Sequence, residues 1–438
     1  MNIRVISILF ILLGCASEKQ QNVFYDVELN NLATNAYSNI LADTLKRISI
    51  RFESDKTPSN ELFSSIDYLP LETTSESFFG TIDQIEFTDT QIIILDKKTK
   101  GVYVFDREGA FLFKIVAVGD GPTEYRIPKS IAYNAFHERI EVLDNTRGII
   151  QRYSAVNGTY MSTLDFGMGI RRFMPVDENE YLLVVDSYLF NNERYAQVHG
   201  LSRQLLLGEE EDNKLKIISQ HVDYRTNSGA LNFSVNQNLR ADRVSGRPLV
   251  NFTFNDTIYE VGSQEVKRKY LLDFGEFSNK EEWFLEENLN TLFKKHKTLE
   301  TTLPTFIWDT VDYLYVNSTS RGINMKCFYR KADGTTKCYQ NSDFNQAAGA
   351  FGLWPKGSTE NSFVYVMEPQ EVFRLNNIVL TRINTLYPEA SETDIETIID
   401  TFYVAKEKWE FLKLAETAIQ EDSNPVLVFA KPNFDAYN

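Results

Sequence analysis

The chain has 438 residues, with 45 Lys and Arg against 61 Asp and Glu, giving a net charge of −16. That balance argues against a nucleic-acid-binding surface, and three Cys exclude a disulfide-built scaffold or a Cys-rich zinc module. Hydrophobic residues at 43% and aromatics at 13%, including 31 Phe and 22 Tyr, indicate a core-forming, strand-rich chain.

Residues 1–14 read as a lipoprotein signal peptide. Arg4 supplies the positive start, and the apolar run Val5–Leu13 is too short to span a bilayer, which takes about 20 residues. Leu12-Leu13-Gly14-Cys15 resembles a bacterial lipobox, in which the Cys15 thiol is lipidated and the chain is cut before it. An ordinary secretory signal that contains a Cys is the alternative. Cleavage removes only Arg4 from the charges, leaving 44 − 61 = −17, so the lipid and not the protein surface would hold the chain at a membrane. Residues 15–60 read as a tether and irregular N-terminal segment, and 61–438 as one domain.

From about Ser65 the chain alternates short strands with turns. Gln91–Leu95, Val102–Phe105 and Phe111–Ile115 are strands, joined by the turn sequences Asp96–Gly101 and Asp106–Gly109. The order recurs: Ile94-Leu95-Asp96 aligns with Val142-Leu143-Asp144, and Leu183-Val184-Val185-Asp186 follows. A fourth unit, at about 229–274, has strands at Arg247–Phe254 and Thr257–Val261. A fifth, at about 304–344, has them at Tyr313–Val316, Met325–Arg330 and Thr335–Tyr339. A sixth has Ser362–Met367 and Glu371–Leu375. Units of about 40–50 residues with about four strands each predict an all-β, six-bladed β-propeller. A pair of β-sandwiches is the alternative. Ile66–Leu71 and Asn424–Phe429 would close the ring if they share a blade. Two short helical insertions are predicted, one opening on the capping box Ser278–Glu281 and one at Ser391–Asp394 running towards Gln420.

Ile66-Asp67-Tyr68-Leu69-Pro70-Leu71-Glu72-Thr73, Val102–Gly109, Gly119-Asp120-Gly121-Pro122-Thr123-Glu124-Tyr125 and Asp422–Phe429 together resemble the six-bladed, NHL-like propeller lipoproteins of Bacteroidota. The resemblance covers about 60–438; Thr123 stands where that group has a Gly. It implies the propeller fold and an outer-membrane lipoprotein of the cell envelope, on the periplasmic or the surface side. It implies no catalytic activity.

The loop Gly119–Tyr125 is the best candidate binding site. Two Gly around an Asp before a Pro would allow φ > 0 and expose backbone amides, with Asp120, Glu124 and Tyr125 as contacts; a plain inter-blade turn is the other reading. The four His, at 137, 199, 221 and 296, form no metal-ligating pair. Asp96, Asp144 and Asp186 occupy equivalent positions in three units. They would form a carboxylate ring for calcium, or else end their strands by accepting turn amides. Cys327 and Cys338 flank a hairpin turn at Ala332-Asp333-Gly334 and fall near opposite positions, as a disulfide or as two reduced thiols one register apart. Trp308, Trp354 and Tyr188 would stack on sugar rings if exposed and are otherwise blade core. No nucleophile-elbow, P-loop or dinucleotide fingerprint appears. The first functional reading is therefore a binding or scaffolding module for a glycan, peptide or protein. The alternative is a divalent-metal-dependent hydrolase or lyase with its site in the central channel.

Overall fold

The computed structural model describes residues 45–53, 62–166, 170–185, 203–223, 238–252, 255–262, 265–279, 303–320, 322–340, 354–374, 419–420 and 422–434, with a few isolated positions. It is an all-β, propeller-like arrangement of antiparallel units, each starting on an inner strand and stepping outward. The first unit is β3 (Gln84–Phe87), β4 (Gln91–Asp96), β5 (Gly101–Asp106) and β6 (Phe111–Ile115). The second is β7 (Pro128–Asn134), β8 (Arg139–Asp144), β9 (Ile149–Ser154) and β10 (Tyr160–Asp165). The third is β11 (Ile170–Pro175), β12 (Glu180–Val185), β13 (Arg203–Glu211) and β14 (Lys214–Asp223). A single parallel bridge, Asp165 to Lys214, joins the second and third into one sheet.

The fourth unit is β15 (Asn238–Ala241), β16 (Pro248–Asn251), β17 (Thr257–Gly262) and β18 (Glu265–Asp273). The fifth is β19 (Leu303–Asp309), β20 (Tyr313–Ser320), β21 (Ile323–Arg330) and β22 (Thr336–Gln340). The last is built from both ends of the chain: β23 (Gly357–Ser358), β24 (Phe363–Met367), β25 (Val426–Pro432) and, outermost, β2 (Phe63–Pro70). β2 pairs with β25 with Tyr68 opposite Val428 and Leu69 opposite Leu427, the non-covalent closure expected from those two segments. The inner strands touch in the cyclic order β3, β7, β11, β15, β19, β23 and back to β3.

Strands read as unbroken apolar runs because both faces of each sheet are covered by neighbours. Ile93 and Leu95 of β4 pack with Ile131, Ile140 and Val142 of the second unit. Ile92 and Ile94, one residue away along the same strand, pack with Val364 and Leu427 of the last. Among the described residues the core divides into six such clusters, each between consecutive units. Gly109 closes the β5–β6 turn at φ +86°, and any Cβ there would collide with the Pro70 carbonyl of the last unit.

Two expectations are corrected. The stretch before residue 61 is not irregular throughout: β1 (Lys46–Ser49) adds in parallel to β18, and Ile48 and Ile50 enter the fourth–fifth cluster. Glu371–Leu375 is not a strand, since 369–374 is helical. Pro369 sits at its first position, where a missing N–H costs nothing, Glu371 pairs with Arg374, and Val372 is buried. The predicted helix bodies lie largely outside the described residues. The Ser278 hydroxyl of the first capping box accepts the Phe274 N–H beside a 3-10 turn at Gly275–Phe277.

Cys327 and Cys338 face each other directly across β21 and β22, with Cα atoms 4.1 Å apart, and are disulfide-bonded. The sulfurs lie in the fourth–fifth cluster, away from solvent. Closing a loop of this length removes unfolded-state entropy worth about 3 kcal/mol. Cys327→Ser/Cys338→Ser should therefore lower the unfolding free energy by that amount, read as a lower urea midpoint. A wild-type midpoint indifferent to reductant after unfolding and refolding would contradict this.

Candidate functional site

The antiparallel order places the second-to-third-strand turns and the links between units at one edge of the ring, here the entry edge. The long connections 186–202, 224–237, 274–302, 341–356 and 368–425 all leave from that edge. At the opposite edge the turns within units are short, such as 88–90, 135–138 and 310–312, and the 50–62 connection from β1 arrives there at β2.

The Gly119–Tyr125 loop lies at the entry edge between β6 and β7, and its interior is occupied by its own side chain. Neither Gly119 nor Gly121 takes positive φ, so the expected amide nest does not form in that way. The Glu124 carboxylate folds back to accept the Gly121 N–H at 2.7 Å, and a Cβ on Gly119 would collide with it. Arg147 Nη1 and Gln151 Nε2 each donate to the Glu124 carbonyl at 2.7 Å, and the Tyr153 hydroxyl donates to Thr123 O. Tyr125 is fully buried, with its hydroxyl between the carbonyls of Lys100 (2.8 Å) and Ile115 (3.0 Å). Burial pushes its phenol up to about 12. Asp120 pairs with Arg126 on the surface. These contacts make the loop a clasp between the first two units.

Asp96 and Asp144 end β4 and β8 at this edge and are fully buried. Asp96 accepts from Gly80 N, Lys98 N, Thr81 Oγ1 and Thr99 Oγ1 at 2.7–3.0 Å. Burial pushes its carboxyl up, but those donors outweigh the effect and hold it below the usual range. Asp144 accepts from Arg126 N, Thr146 N and Thr146 Oγ1. Both carboxylates thus tie a strand end to the loop that enters the same unit. Asp186, Tyr188 and Cys15 lie outside the described residues. Among the described residues no group of three or more His, Cys, Asp or Glu is arranged to hold a metal. Trp354 stacks on Phe306, and Trp308 is buried beneath a guanidinium.

That guanidinium is part of a cluster on the ring axis to which sequence reasoning had given no role. Glu86 of β3, Arg172 of β11 and Arg240 of β15 come from three different inner strands and lie within electrostatic reach of one another. Arg240 lies over Trp308, its Cζ 3.8 Å from the ring centroid, and donates to the Leu239 carbonyl. Arg243, in the turn after β15, reaches across to the Ser358 carbonyl of β23 at 2.5 Å. Arg107 approaches from the β5–β6 turn, over Phe87. Arg240 Nε, Arg243 Nε and Arg107 Nη1 are buried without hydrogen-bond partners. Burial, then Arg172, lowers the Arg240 guanidinium to about 9, against the opposing pull of Glu86; it remains charged at neutral pH. At the entry edge Lys97 is lowered by burial and by Arg172, Lys129 and Arg171, partly offset by Asp83. The signal available in the sequence was the basic residues at Arg171-Arg172 and Arg240–Arg243 within strand-like segments of an acidic chain.

A separate groove of about 860 Å³ runs along the seam of closure, lined by Pro70, Glu72, Phe78, Gly109 and Asp422 among others.

A family model for a domain of unknown function, DUF4934, matches residues 45–431. The chain belongs to this family. The DUF4934 match takes in β1 and ends within β25, so it spans the ring and its closure. A search of the curated proteins returned no match. Among solved structures, a Bacteroides fragilis protein assigned to export superposes with a TM-score of 0.68 at 17% identity, covering 89% of this chain and 100% of that one. A DUF4221 member from Bacteroides vulgatus gives 0.48 at 10% identity, over 85% and 98%. The β-propeller domain of Cps50 (Swd1) from Myceliophteria thermophila gives 0.34 at 9%, over 63% and 73%. At 17% identity the likeness to the Bacteroides fragilis protein concerns the fold.

Proposed function

We propose that this DUF4934 protein is a lipid-anchored, six-bladed, NHL-like propeller of the cell envelope, acting as a binding module for a glycan, peptide or protein. The four-stranded units, the cyclic inner strands and the six inter-unit clusters support the blade count. The signal-like residues 1–14, Cys15 and the exported Bacteroides neighbour support an envelope address. The observation that carries the binding reading is the asymmetry of the ring: the five long connections named above leave from the entry edge. The metal-dependent hydrolase or lyase is disfavoured because the Asp96 and Asp144 oxygens are already committed to turn donors.

Calorimetric titration of the mature chain with oligosaccharides and peptides, with and without calcium, tests this. Saturable binding with no turnover is expected; calcium-dependent product release would overturn it. For the anchor, Cys15→Ser should abolish the lipid mass increment and the partition into detergent. Retention of both in that variant would refute lipidation at Cys15.

A further inference from the structure

We propose that the axial channel is an oxyanion site, in which Arg172, Arg240 and Arg243 receive the carboxylate, sulfate or phosphate group of a small ligand and Glu86 tempers the affinity. The inference rests on the binding-module reading and adds the chemistry of its ligand.

Three features carry it. First, buried polar groups are almost always hydrogen-bonded, yet Arg240 and Arg243 each keep a buried Nε–H unpaired, and so does Nη1 of Arg107 further out. Leaving a buried charged donor unsatisfied costs free energy, and a ligand oxygen would recover it. Second, the cations stand against the charge of the whole chain, which is −16. Glu86, itself engaged by Gln84 Nε2 at 2.8 Å, is the carboxylate within reach of Arg172 and Arg240. A low-dielectric cleft of one sign focuses the field on a ligand of the other. Third, the donors are held in place before a ligand arrives. Arg240 packs over Trp308, and Arg243 is held by its bond to Ser358 O and by its own N–H on Asp309. Planar guanidinium forks match the geometry of carboxylate, sulfate and phosphate oxygens.

The probes are inorganic phosphate, sulfate and glucuronate, titrated calorimetrically into the full mature chain in detergent, with chloride holding the ionic strength constant. One saturable class of site is expected, and the preferred probe identifies which oxyanion chemistry the channel serves. Arg240→Met should weaken that probe by about 10- to 100-fold, the loss of charge-assisted hydrogen bonds. Glu86→Gln should tighten it by about 3- to 10-fold, because the opposing charge is gone while every arginine remains. That second variant keeps the test open if Arg240→Met does not fold. No binding of any probe at millimolar concentration, or affinities unchanged in both variants, overturns the proposal. If the same preparation still binds an oligosaccharide or peptide, only the channel site falls and the binding-module reading stands.

Discussion

Arg152→Met is expected to lower stability by about 3–5 kcal/mol, read from urea or thermal midpoints. Arg152 is 1% exposed and sits where the second and third units meet. Its Nη1 donates to Glu210 Oε1 at 2.7 Å, Nη2 bonds both Glu210 Oε2 and the Tyr181 hydroxyl, and Glu141 Oε1 lies 3.5 Å from Nε. Arg139 completes a balanced set by pairing with Glu141 at 2.7 Å and donating to Tyr181 at 2.8 Å. Burial pulls the Arg152 guanidinium down, but the Glu210 hydrogen bonds and the carboxylate charges of Glu141 and Glu210 raise it further than that. Removing Arg152 leaves two carboxylates facing one arginine in a site that water scarcely reaches. A second change, Glu210→Gln, removes the orphaned charge and should restore 1 kcal/mol or more, a coupling typical of groups in direct contact. A single-variant loss below about 1 kcal/mol, or strict additivity, would show that the network is not the joint between these units.

Asn424→Ala should cost about 3 kcal/mol, and Asn424→Asp at least as much. Asn424 is 1% exposed at the start of the closing strand. Its Nδ2 donates to the carbonyls of Glu72 (2.8 Å) and Ser77 (3.0 Å), while its Oδ1 accepts the Phe79 N–H at 3.2 Å. Its own N–H donates to Thr73 Oγ1. One side chain therefore ties the last strand to the link between the last and first units. Alanine leaves three buried backbone groups without that partner. Aspartate keeps the Phe79 bond but turns a carboxylate towards two carbonyl oxygens, so near-isosteric shape gives no rescue. Equal stability of wild type and Asn424→Asp would show that shape alone matters there. The same contacts explain Asn424 in the Asp422–Phe429 motif: it serves the closure of the ring.

Much of the architecture was legible because the second, third and outer strands are encoded locally. Gln91–Leu95 and Phe111–Ile115 match β4 and β6 almost to the residue, since β-branched and aromatic runs stop at Asp and Gly turns. Asp106 shows how local that grammar is: its carboxylate accepts the Glu108 and Ala110 N–H groups of the turn it opens. The inner strands were the weak point. β3 and β15 are only four residues long, and their alternating polar positions look like loop. Those positions are polar because an inner strand has open space beside it on the axis, a fact visible only once the ring exists.

The candidate loop shows the same division. Gly119-Asp120-Gly121-Pro122 announced a turn through short-range chemistry alone. Whether its amides would face a ligand depended on where Glu124, Arg147, Gln151 and Tyr153 would come to lie, and three of those four belong to the next unit.

By itself, then, the sequence determined the order of most strands, the turns between them and the two segments able to close a ring, because each depends on residues within a few positions of one another. The tertiary structure decided the 48–50 segment's place in the core, the direct pairing of Cys327 with Cys338, the intramolecular use of Glu124 and the meeting of Glu86, Arg172 and Arg240 on one axis. Ile48, Glu86, Arg172 and Arg240 meet their partners by packing between segments far apart in the chain, and the register of the β21–β22 hairpin sets Cys327 against Cys338; no local pattern specifies which charges a closed ring will face inward.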